Sequence, residues 1–161
     1  MGVQIDKKIA DLLKDPGTVK ALATAGRDGA VHVVFKGSLG ITPEGNLQFY
    51  ELNETSRNNK NLVYSLWFER QIAINILSPD RTSFEIRGIP VRAIISGREF
   101  EEAYVSIRKR LGADADLSTI WIIEPVEIRE ETYGVRKEIE RTGYPLVGHL
   151  DRFARQEEGV L

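Results

Sequence analysis

Glu51-Leu52-Asn53-Glu54-Thr55-Ser56-Arg57-Asn58-Asn59-Lys60-Asn61-Leu62 is the stretch whose residue types and spacing best suit chemistry. It reads as the end of a strand running into a helix that starts near Ser56. A helix start presents amide N–H groups with no intrahelical acceptor, and its dipole favours negative charge there. Thr55 and Ser56 add hydroxyls, Arg57 a planar fork that matches phosphate oxygens, and Lys60 a point charge one turn on. Together these are the parts of an anion site. The same Asn, Thr and Ser also make an ordinary helix cap with no ligand at all, and the segment alone leaves both readings open.

No other segment competes with it. The chain lacks GxSxG, HExxH, GxxxxGK[ST] and GxGxxG patterns. Its histidines are His32 and His149, far apart in sequence. His32 is a conceivable general base, but it alternates with valines and reads more readily as a strand residue. Glu101-Glu102 and Glu130-Glu131 read as solvated charges. Arg108-Lys109-Arg110 sits where cations complement the end of a helix. Cysteine is absent, which excludes disulfides, thiolate catalysis, iron–sulfur clusters and Cys-ligated zinc.

Around that segment the chain reads mainly as strands. Ile5, Ile9, Leu12 and Leu13 have helical spacing, and Asp15-Pro16-Gly17 ends that helix. Thr18 to Ala25 and Val31 to Phe35 flank an Asp28-Gly29 turn and predict a hairpin. Gly37 and Gly40 interrupt the continuation to Thr42. Leu47 to Leu52 is a further strand, and the helix from Ser56 to Trp67 turns Leu62, Leu66 and Val63 inward. Gln71 to Leu77 follows as a strand. Thr82 to Arg87 and Ile89 to Ser96 are two extended pieces parted by Gly88 and Pro90. Phe100, Tyr104, Ile107 and Leu111 mark a helix closed by Gly112. Thr119 to Glu131 is the last strand, and the charged remainder from Val135 is weakly patterned.

Six or seven strands joined by short turns, with few long crossovers, predict antiparallel pairing. The expected fold is mainly β with flanking α: an antiparallel split β-barrel with peripheral helices. A length of 161 residues suits one domain, with the barrel over about 17–132 and an extension over 133–161. The net charge of −2 and the lack of a basic–aromatic stripe argue against nucleic-acid binding on an OB-like barrel. No apolar run approaches the roughly 20 residues of a membrane span, and the start lacks a signal-peptide core, so the expected setting is cytoplasmic, without a membrane.

Leu22-Ala23-Thr24-Ala25, Asp28-Gly29 and His32-Val33-Val34-Phe35 resemble the opening of the pyridoxamine 5′-phosphate oxidase-like, FMN-binding split-barrel superfamily. So do Leu47-Gln48-Phe49-Tyr50, Thr55-Ser56-Arg57, Lys60-Asn61-Leu62 and Ile72-Ala73-Ile74-Asn75-Ile76. Phe84-Glu85-Ile86-Arg87-Gly88 and Thr119 to Pro125 resemble its later strands.

The resemblance implies a homodimer with FMN at the interface. It places the phosphate on Thr55, Ser56, Arg57 and Lys60, and the flavin ring along Val33, Val34, Phe35 and Lys36. It has Thr82 and Ser83 reach the flavin from the partner subunit. It implies a flavin-dependent oxidoreductase acting on a small molecule, with a non-catalytic flavin or haem carrier or sensor as the alternative. Two departures count against a true pyridoxamine-phosphate oxidase. Asn58 stands where many members carry a second basic residue, and His149-Leu150-Asp151-Arg152 lacks the spacing of the Arg-x-His-Asp-Arg substrate signature.

Overall fold

The computed structural model describes residues 2–144. Its elements, in chain order, are α1 (Lys7–Lys14), β1 (Val19–Ala25), β2 (Val31–Phe35), β3 (Gly40–Ile41), β4 (Leu47–Glu51) and α2 (Arg57–Trp67). They continue with β5 (Ile72–Leu77), β6 (Ser83–Ile94), α3 (Arg98–Leu111), β7 (Thr119–Glu130) and α4 (Tyr133–Gly143). The strands form one sheet in the order β2-β1-β5-β6-β7-β4-β3, with every neighbouring pair antiparallel. The sheet curls into a half-barrel, as expected of a split barrel.

Period-two alternation decides what the sheet encloses. Leu22 of β1, Leu47 and Phe49 of β4, Ile72, Ile74 and Ile76 of β5, Phe84 and Ile86 of β6, and Trp121 and Ile123 of β7 point inward. Ile9 and Leu13 of α1 and Leu62 of α2 pack onto the same core. Asp6 starts α1 by accepting the Ile9 amide at 2.8 Å. Leu66 packs against this core, but Val63, expected inside, is exposed. It lies one position after Leu62 and so about 100° away round the helix.

The first half of β7 is buried on both faces. Its other side, Ile120 and Ile122, meets Ile107 of α3 together with Leu117, Phe100 and Tyr104. The helix predicted from the Phe100–Leu111 spacing is therefore a lid on the second face of β7.

The two extended pieces expected on either side of Gly88 and Pro90 are one strand. β6 runs through both residues, and its register against β7 shifts between Arg87 and Gly88 and again between Pro90 and Arg92. Gly88 and Pro90 mark irregularities that bend a continuous strand rather than end it. Gly88 also sits tight against β7. A Cβ there would lie 2.5 Å from Ile123 Cγ2 and 2.9 Å from the Glu124 carbonyl oxygen. Gly88→Ala should cost about 1–3 kcal/mol of stability by overpacking. Chemical denaturation that showed no loss would mean that the bend does not depend on this contact.

Candidate functional site

α2 begins where the sequence places the anion site. Ser56 is its cap, with its Oγ accepting the Asn59 amide at 2.9 Å. Thr55 precedes it in the turn after β4. Arg57 and Lys60 are exposed, and among the described residues neither side chain has a hydrogen-bond or ion-pair partner.

Arg57 and Asn61 border an open cleft of about 620 Å³, whose other wall is the β1–β2 turn of Gly26, Arg27, Asp28 and Ala30. Arg27, beside the Asp28-Gly29 turn, thus joins Arg57 at one cleft. Nothing in the spacing of two residues this far apart signals that meeting; it follows from the α2 packing beneath the hairpin.

Three inward positions in its first two turns hold α2 there. Asn58, Asn59 and Asn61 are buried. Asn61 Nδ2 donates to Thr24 Oγ1 of β1 at 3.0 Å, and Trp121 Nε1 of β7 donates to Asn59 Oδ1 at 2.9 Å. Asn58 Nδ2 donates to Glu51 Oε2 of β4 at 2.9 Å. The position that departs from the family pattern at Asn58 is therefore structural: a second cation there would point into the fold.

Glu51 is the residue sequence reasoning missed. It is 1% exposed, and its Oε2 takes a 2.8 Å ion pair from Lys36 Nζ as well as the Asn58 bond. Its Oε1 accepts the Asn53 amide at 3.2 Å. Lys36 Nζ also lies 5.2 Å from the centre of the Phe49 ring. Burial pushes the Glu51 carboxyl upward, but the hydrogen bonds from Lys36 and Asn58 and the lysine charge outweigh it and hold the group below its usual range. A signal was available: Leu47, Phe49 and Glu51 share one strand parity, so a carboxylate in that row faces inward and needs a cation.

β2 presents the expected flavin strand unevenly. Val31, Val33 and Phe35 are 70%, 61% and 73% exposed on the outer face of the sheet. Val34 faces the other way and packs against the core, and His32 pairs with buried Thr24 on that same inner side. Beside the exposed row lie Ala25, Ala23 and Ala21 of β1, then Ala73 and Asn75 of β5. These small residues leave a shallow trough flanked by Val33.

Thr82 and Ser83 are not at this end of the sheet. Ser83 opposes Leu77 in the row of Val19, whereas Arg57 borders the turn after Ala25. The Ser83 amide donates to Thr132 Oγ1 at 3.1 Å, and the Thr82 amide to Asp80 Oδ1 at 3.0 Å. Within one chain they do not meet the α2 site. His149, and the segment compared with the substrate signature, lie outside the described residues.

No protein-family model matches the chain, and no curated protein does. Solved structures do. One is an FMN-binding protein from Syntrophomonas wolfei, with a TM-score of 0.61 and 12% identity, covering 78% of this chain and 84% of that one. Another is a candidate pyridoxamine 5′-phosphate oxidase from Lactobacillus delbrueckii, with a TM-score of 0.58, 16% identity, and coverage of 78% and 93%. The chain has the pyridoxamine 5′-phosphate oxidase-like split-barrel fold. The Vibrio cholerae haem storage protein HutZ shares this split barrel at a TM-score of 0.54 and 14% identity, covering 80% of this chain and 95% of that one. Among the described residues of the split barrel no helix is long and apolar enough to cross a membrane, and no cluster of His, Cys, Asp or Glu suits a metal ion.

Proposed function

We propose that the protein binds FMN at the interface of a homodimer and acts as a flavin-dependent oxidoreductase in the cytoplasm. The observation that carries this reading is the pairing of two features on adjoining elements. One is a helix start flanked by the unpartnered cations Arg57 and Arg27. The other is an exposed apolar strand row of Val31, Val33 and Phe35.

The donor set fits a phosphate monoester: unpaired amides of a helix first turn, the Ser56 hydroxyl, and guanidinium forks. The apolar row fits one face of a planar ring. FMN would supply the hydride and electron chemistry, which the side chains here cannot. The chain's own part is to hold the phosphate through Arg57, Ser56 and Lys60, to seat the ring on Val33 and Phe35, and to exclude water there. The poor inventory of catalytic side chains then follows, because position and electrostatics are all the protein must add.

The second copy has a matching surface. The outer face of β2, β1 and β5 carries exposed Val19, Val31, Val33, Phe35 and Leu77. Farther along the same face, Arg87 of β6 pairs with Glu127 of β7 at 3.2 Å. An apolar band with charges of both signs at its edge suits an isologous contact with itself. It would bring a partner's Thr82–Ser83 segment within reach of the flavin, which the geometry of one chain does not.

The haem reading rests on the shared fold with HutZ. Against it, His32 is on the inner side of β2, turned away from the apolar row, so it does not offer an axial ligand there.

Absorption spectra of the purified protein, before and after titration with FMN and with haemin, separate the two cofactors. FMN should bind with a stoichiometry of one per chain. Phe35→Glu places a charge in the apolar band and should convert the dimer to a monomer by light scattering at micromolar concentration, with loss of FMN binding. Tight haem binding without FMN binding would overturn the reading, and so would a monomeric wild type that binds no FMN.

A further inference from the structure

A second hollow lies apart from the phosphate cleft, between the ends of β2 and β4 and the C-terminal turn of α3. It measures about 390 Å³, within the range of small-molecule pockets. Phe35, Leu52, Ile107 and Leu111 give it apolar walls. Its floor is the Lys36–Glu51 ion pair, 2.8 Å long and almost wholly buried. Arg110 stands at its mouth, exposed and, among the described residues, without a partner.

Two features set the charge of what fits. The Lys36 ammonium is already compensated by Glu51, so the floor is neutral overall, and an anion driven down to Lys36 would meet the Glu51 carboxylate. The one uncompensated charge is the guanidinium at the rim. An occupant thus puts an apolar body inside and one negative charge at the mouth. We infer that this pocket binds an apolar-bodied monocarboxylate, with its carboxylate on Arg110, and has no preference for a phosphate ester. Phe35 and Lys36 border both this pocket and the proposed flavin strand, so the role of the carboxylate as substrate rests on the FMN reading, whereas its binding does not.

The test uses three fluorescent probes with one shared body: 2-naphthoate, the neutral 2-naphthalenemethanol, and 2-naphthyl phosphate. Each is titrated into the full-length protein with and without FMN. Wild type should bind 2-naphthoate more tightly than the alcohol. Arg110→Ala should weaken 2-naphthoate about 5- to 10-fold, a charge-assisted bond reduced by solvent at the rim, and leave the alcohol unchanged. Lys109→Ala, on the same helix turn but outside the pocket, should change neither.

Leu111→Trp fills the pocket from its exposed edge and should weaken both probes more than tenfold. 2-Naphthyl phosphate should bind within about threefold of 2-naphthoate. A tenfold preference for the phosphate would overturn the neutral floor. Equal losses in Arg110→Ala and Lys109→Ala, or no loss in Leu111→Trp, would overturn the site. FMN titrated into the same variants keeps the two readings separate. If the naphthoate pattern holds and wild type binds no FMN, only the cofactor assignment falls.

Discussion

Lys36→Met should lower the free energy of unfolding by about 3–5 kcal/mol, the cost of stranding a buried carboxylate that has lost its cation. The side chains of Lys36 and Glu51 are 14% and 2% exposed, so solvent does little to screen what remains. Asn58 and the Asn53 amide would still donate to Glu51, but neither carries charge. Lys36→Met combined with Glu51→Leu removes both charges and should recover at least half of the loss, because the isolated ion is the costly species.

Acid should act in the same direction. The folded-state pKa of Glu51 lies below its ordinary value of 4.5, so its stabilisation is complete above that pH and is lost as pH falls through the folded value. Urea denaturation of wild type, single and double variants at neutral pH and near pH 3 reads all three effects. A single-variant loss under about 1 kcal/mol would put the pair in the class of screened surface pairs.

Arg57→Ala should weaken FMN about 10- to 100-fold and leave riboflavin almost untouched. The figure is that of one charge-assisted hydrogen bond, roughly 1.5–3 kcal/mol. Cations near a helix N-terminus are mildly unfavourable, by a few tenths to about 1 kcal/mol each. Arg57 and Lys60 nonetheless sit there, without a carboxylate partner among the described residues. A bound anion would offset that cost. Arg27→Ala, across the cleft, should show the same contrast between FMN and riboflavin, but more weakly, because it stands on a turn rather than a helix. Parallel titrations by flavin fluorescence quenching decide it. Equal losses for both flavins would mean that Arg57 supports the fold and holds no phosphate.

The sheet was legible because its signals are local. The alternation of Val31, Val33 and Phe35, the Asp28-Gly29 turn, and the spacing of Phe100, Tyr104 and Ile107 each name an element without reference to any other. The Ser56 cap and the α2 start were legible for the same reason. β6 was misread as two pieces because Gly88 and Pro90 punctuate a strand locally, while ten paired positions on β7 carry it through. Arg27 and Glu51 were hidden for a related reason. Each acquires its role from a residue distant in sequence, Arg57 in one case and Lys36 in the other; strand parity signals that Glu51 needs a cation, but single-chain pattern does not say which one. The unequal faces of Val33 and Val34 were implicit in the strand period, but which face is outward depends on the partner strands.

The row of asparagines on α2 has a kinetic meaning. Each bonds a different strand: Asn58 to β4, Asn59 to β7 and Asn61 to β1. A slip of α2 by one residue, or a rotation about its axis, would break all three at once and leave buried amides without partners. The first turn is therefore held still by the folded sheet rather than by whatever binds to it. Ordering a loop on arrival of a ligand slows association and consumes affinity; here that ordering is already complete when the chain folds. Amide protons of the first two turns of α2 should exchange slowly in the ligand-free protein, and little more slowly once the anion is bound.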